Sequence, residues 1–115
     1  MELVAFVGTG KGSWGQVAGV INKGDWENII IIGDNFAKQF SVEKDFEFIE
    51  INSKGIVDLK EEILKKLQGK IKGTEVGLSI ASGDGKEHMA LISALLNLPA
   101  GIRFVVLTKD GLVFM

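Results

Sequence analysis

A chain of 115 residues, 46% hydrophobic and 24% charged, fits one globular domain large enough to bury a core without covalent staples. A formal net charge of −2 removes the electrostatic case for a surface that grips duplex nucleic acid or a membrane. The absence of cysteine excludes disulfides and thiolate metal sites, and a single histidine excludes a multi-histidine metal centre.

No apolar run reaches the roughly 18 residues that a membrane span needs. Met1 leads directly into an apolar stretch, without the basic, long apolar and small-residue segments of a secretion signal, so a cytoplasmic location is expected. Fifteen glycines against one proline indicate tight turns between regular elements and no linker, so residues 1–115 read as a single domain.

Leu3 to Val7 is a near-continuous apolar run, the pattern of a strand buried on both faces. The loop Gly8-Thr9-Gly10-Lys11-Gly12 follows. Ser13 with Gln16 has the form of a capping box and predicts a helix to about Asn22, with Val17, Val20 and Ile21 inward and Gly24 as its stop. Asn28 to Ile32, with four consecutive isoleucines, predicts a second buried strand that Gly33-Asp34-Asn35 ends. Phe36 to Val42 supports only a short helix.

Phe46 to Ile51 alternates and predicts a strand near a sheet edge. Asp58 with Glu61 predicts the start of a helix carrying Leu59, Ile63, Leu64 and Leu67 inward, with Gly69 beyond it and a solvated face of Glu61, Glu62, Lys65 and Lys66. Thr74 to Ile80 reads as the fourth strand. The next helix is expected to bury Met89, Ile92, Leu95 and Leu96. Ile102 to Leu107 reads as the fifth strand, and Asp110-Gly111 as a hairpin turn into an antiparallel return at Leu112 to Met115. This alternation predicts an α/β class: a three-layer α/β/α, Rossmann-like sheet of five parallel strands plus a C-terminal antiparallel hairpin strand.

Two loops carry the functional argument. The stretch Ala81-Ser82-Gly83-Asp84-Gly85-Lys86 joins a strand to a helix. Glycine lets a ligand approach the backbone, and the first amides of a helix favour an anion. Lys86 in a first turn is locally unfavourable unless an anion sits nearby. The structural alternative is that Asp84 caps the helix with Glu87 in a capping box, leaving Lys86 in water. In a 3-2-1-4-5 strand order the ligand crevice lies beyond the first and fourth strands, which are the two followed by a glycine-rich loop with a lysine. Lys11 and Lys86 would then converge on one cleft. Tight turns also need glycine, so the loops have a purely structural reading too.

Three phosphate-site readings compete at the first loop. Gly10, Gly12 and Gly15 spell G-x-G-x-x-G, with Asp34 19 residues after Gly15, which mimics a dinucleotide fingerprint with Asp34 on a ribose. That triplet begins two residues late, and no substrate domain accompanies it. A P-loop fails, because Ala5 stands in place of the first glycine and Gly12 in place of Ser or Thr. The third reading is a nucleotide phosphate site shared by both loops. His88 reads as a half-buried residue more than a general base, and Trp14 as either a base-stacking or a packing residue.

The segment Ile80 to Leu96, the polar loop after the first strand and the closing hairpin together resemble the CRISPR-associated Rossmann fold (CARF) family. Ser82-Gly83-Asp84-Gly85-Lys86 is similar to its small-Gly-polar-x-Lys motif, with Asp84 where that family often has a hydroxyl residue. The resemblance implies a homodimer whose paired clefts bind a cyclic oligoadenylate in antiviral defence, with no cofactor and no metal. Thr9, Gly10, Lys11 and Ser13 would contribute from one side, and Ser82, Gly83, Asp84, Gly85 and Lys86 from the other. Without a fused effector, it implies a lone sensor or a metal-independent ring nuclease in which Lys86 stabilises charge on the attacked phosphate. A small nucleotide- or dinucleotide-binding protein and a ligand-free interaction subunit stand as alternatives.

Overall fold

A computed structural model describes Met1–Met115. Six strands, β1 (Glu2–Val7), β2 (Ile29–Gly33), β3 (Glu47–Glu50), β4 (Glu75–Ser79), β5 (Gly101–Thr108) and β6 (Gly111–Phe114), form one sheet. Three α-helices, α1 (Trp14–Lys23), α2 (Ile56–Leu67) and α3 (Gly85–Leu96), lie between them, with 3-10 turns at Lys11–Ser13 and Asn35–Gln39.

The spatial order is β3-β2-β1-β4-β5-β6. The first five strands pair in parallel and β6 pairs antiparallel to β5. The chain winds outward from β1 to β3, then crosses back to start again at β4 on the other side of β1. The winding therefore reverses between β1 and β4, and the loops after those two strands face each other.

The isoleucine run explains the sheet's centre. β1 and β2 are buried along their whole length, with Leu3 opposite Ile29 and Phe6 opposite Ile32. Successive side chains point to opposite faces. Val4, Phe6, Ile30, Ile32, Val76 and Leu78 pack against Leu59, Ile63 and Leu67 of α2 and Leu91 and Leu95 of α3. Leu3, Ala5, Val7, Ile29 and Ile31 pack on the other side against Val17, Val20 and Ile21 of α1, with Ala37 and Phe40. Each large apolar side chain so buried stabilises the fold by about 1.5–3 kcal/mol relative to exposure.

Several local expectations are corrected. α1 has no side-chain cap: Ser13 is itself helical in backbone and its hydroxyl donates to Gly10 O at 3.0 Å. The 3-10 turn before it explains this, because Ser13 already belongs to a coil and cannot take the extended conformation of an N-cap. α2 begins at Ile56 with Gly55 as its N-cap, so Asp58 is an acidic residue of the first turn and not the cap. The helix expected at Phe36 to Val42 is the 3-10 turn Asn35–Gln39, capped by the Asp34 carboxylate. α3 buries Ala90, Leu91, Ala94 and Leu95, while Met89 and Leu96 are exposed. Leu95 is buried as expected and Ile92 is partly buried against the core, but Ala90, Leu91 and Ala94 take the inward positions expected of Met89 and Leu96.

Candidate functional site

The loop after β1 and the loop after β4 touch. A Cβ on Gly8 would lie 2.7 Å from Gly83 Cα and 2.8 Å from Gly83 N. Gly83 has φ of +101°, a left-handed conformation that other residues rarely adopt, and a Cβ there would meet Phe6 and His88. The contact is fastened by side chains. Gly8 N donates to Ser82 Oγ at 2.8 Å in a buried bond, and Trp14 Nε1 donates to Gly8 O at 2.8 Å. His88 Nε2 lies 2.7 Å from Ser82 O; a carbonyl only accepts, so Nε2 carries the proton.

Above this junction lies a cleft of about 360 Å³, lined by Thr9, Gly10, Ser13, Ala81, Gly83, Asp84 and Glu87. It sits at the carboxyl ends of β1 and β4, where the winding reverses. Asp84 caps α3 with a full capping box: Glu87 N donates to Asp84 Oδ1 at 2.8 Å, and Asp84 N donates to Glu87 Oε1 at 2.9 Å. Burial pushes the Glu87 carboxyl above its ordinary value and the negative charges of Asp84 and Asp34 add to that, against the pull of the Asp84 amide and of His88.

The expected residues fall at different places around this junction. Thr9, Gly10, Ser13, Gly83 and Asp84 line the cleft. Gly8 and Ser82 do not line it but join the two loops, with Ser82 buried and its hydroxyl already accepting from Gly8 N. Gly12 and Gly85 face open space, as do Gly10 and Gly15. Asp34 sits at the end of β2, where its carboxylate accepts from Ala37 N at 3.2 Å.

The two lysines turn outward to opposite flanks. Lys11 Nζ donates to Gln39 Oε1 at 3.1 Å and lies over the rings of Trp14 and Phe36. Lys86 Nζ donates to Lys54 O at 2.7 Å, on the approach to α2. Neither lines the cleft. Its walls instead carry Glu87, which the sequence suggested only as a cap, and Ala81. No group of three or more His, Cys, Asp or Glu side chains is placed to hold a metal ion.

A second cavity, of about 350 Å³, opens at the other end of the sheet beside Glu2 and Lys72. Its one buried charge is already satisfied, because the Glu2 carboxylate accepts from Lys72 N at 2.7 Å and Gly73 N at 2.8 Å. The cleft between β1 and β4 is therefore the better candidate. Neither a family model nor a curated protein matches the chain.

Proposed function

We propose that the cleft between β1 and β4 binds a nucleotide of the cyclic oligoadenylate type, held between two copies of the chain in a three-layer, CARF-like arrangement. One observation carries the reading. Gly10, which lines the cleft, has open space where a side chain would project, and its φ is −81°. Neither packing nor backbone conformation requires glycine there, and the bare backbone leaves room for a ligand to come close, which supports the reading.

The chemistry of the walls suits a nucleotide better than a simple anion. Asp84 and Glu87 would accept hydrogen bonds from ribose hydroxyls or an exocyclic amine. The phosphates belong on the opposite, Thr9–Ser13 side, within a side-chain swing of Lys11. Lys86, engaged with Lys54 O, favours binding over cleavage of the ring.

The test is calorimetry and thermal shift with cyclic tetra- and hexa-adenylate, run beside NAD and ATP. One of the rings should bind, and Gly10→Val should abolish that binding while leaving the melting temperature within about 2 °C. Radiolabelled ring incubated without metal should be recovered intact. No heat and no shift with either ring overturns the reading, and a shift with NAD that Asp34→Ala abolishes replaces it with dinucleotide binding.

A further inference from the structure

Beside the cleft, on the flank below the end of β2, stands a group of aromatic side chains. The ring centroids of Trp14 and Phe36 are 5.8 Å apart, and those of Trp14 and Phe40 are 5.9 Å apart. Trp14 is locked by its bond to Gly8 O, and Phe40 is buried. Phe36 keeps 38% of its surface exposed, although the buried Phe40 is only four residues away. Lys11 covers this pair, its Nζ 5.6 Å from the Trp14 ring centroid and 5.3 Å from that of Phe36.

We propose that the Trp14–Phe36 pair is a stacking subsite for a purine base, which Lys11 occupies when no ligand is bound. The proposal rests on the nucleotide reading above and extends it to a part of the surface that the cleft does not include. The two rings meet at 57°, so a base would stack on the exposed Phe36 ring with the held Trp14 ring beside it, next to Ser13 of the cleft wall, and every base offers a π-face. The lysine holds the place by cation–π attraction. A base displaces it, and the freed ammonium then lies on the loop assigned to the phosphates. One residue thus serves both states, which accounts for a lysine of the first loop turning away from the cleft. Its departure also frees the Gln39 amide, which presents one acceptor and two donors at the same flank, a set able to read an adenine edge.

The indole N–H resonances report on this directly. Trp14 and Trp26 give one signal each, and Trp26→Phe identifies them. Trp26 is remote from the subsite, its Nε1 donating to Val20 O and its ring packed on Phe114. Cyclic tetra-adenylate and adenosine monophosphate should move the Trp14 signal and leave that of Trp26, whereas ribose 5-phosphate, which has no base, should move neither. Phe36→Ala should weaken the ring about tenfold, Phe36→Leu should do nearly the same while retaining apolar bulk, and Phe36→Trp should restore affinity. If calorimetry shows the ring binding while the Trp14 signal stays still and Phe36→Ala binds as well as the parent, the subsite is refuted and the cleft reading survives. If no adenylate binds at all, both fall.

Discussion

Glu62 shows how one side chain acquires a role that its neighbours in sequence do not reveal. By spacing it belongs to a solvated helix face, and its i,i+4 pair with Lys66 is present at 2.8 Å. The same carboxylate also accepts from Asn52 N at 3.0 Å and Ser53 N at 2.9 Å, so it ties the segment after β3 to α2. Burial opposes its charge, but the Lys66 ammonium and the Ser53 and Asn52 amides outweigh it and hold the carboxyl down at about 2. A lowered carboxylate contributes stability that is complete above its unfolded value, 4.5, and is lost as pH falls toward 2. Glu62→Gln should therefore destabilise the protein by about 1–2 kcal/mol at pH 7, the range for hydrogen bonds to a charged group reduced by solvent screening. The gap between variant and parent should close as denaturation is followed from about pH 5 down to about pH 2. A gap that stays constant over that range would show that the charge contributes nothing.

Among the elements, glycine has two distinct uses in the loop after β1. Gly8 is needed for packing, because its position abuts the backbone of Gly83 and backbone cannot swing aside. Gly8→Ala should destabilise by about 1–3 kcal/mol in a thermal or denaturant melt and should splay the two loops. Gly10 has φ of −81°, and the place where a methyl group would sit has no atom within 4 Å, so Gly10→Ala should change stability by no more than about 0.5 kcal/mol. Equal effects from the two substitutions would refute the packed junction. Both glycines look alike in sequence, since their difference comes from a loop 75 positions away: residue 83 minus residue 8. The phase of α3 was hidden for a related reason. Met89 and Leu96 are more hydrophobic than Ala90 and Ala94, yet the helix turns its small residues to the sheet, and a periodicity weighted by hydrophobicity points elsewhere.

For the molecule as a whole, β1 is the keystone. It pairs with β2 on one side and β4 on the other, and its apolar side chains feed both cores. β6 has one neighbour and carries exposed Val113 and Phe114, and β3 is a four-residue edge strand. Native-state hydrogen exchange should therefore be slowest at Val4, Ala5, Phe6, Ile30 and Ile31, near the global unfolding limit, and fastest among strand amides in β6. Slowest exchange in β5 and β6 would mean that the cooperative unit lies elsewhere.

The order of residues alone dictated the strands, the three α-helices, the parallel sense of the inner strands and the closing hairpin. Those features follow from short-range signals, namely unbroken apolar runs, helical spacing, and the turn chemistry of glycine and aspartate. The strand order that brings the loops after β1 and β4 together, and the 3-10 turn between β2 and β3, were decided by the fold. Where the ends of long side chains go was settled by the folded arrangement. Lys11 lies over Trp14 and Phe36, and Lys86 reaches Lys54 O, 32 residues earlier in the chain. A lysine tip can sweep a wide arc around its Cα, and partners brought near by the fold choose where in that arc it rests.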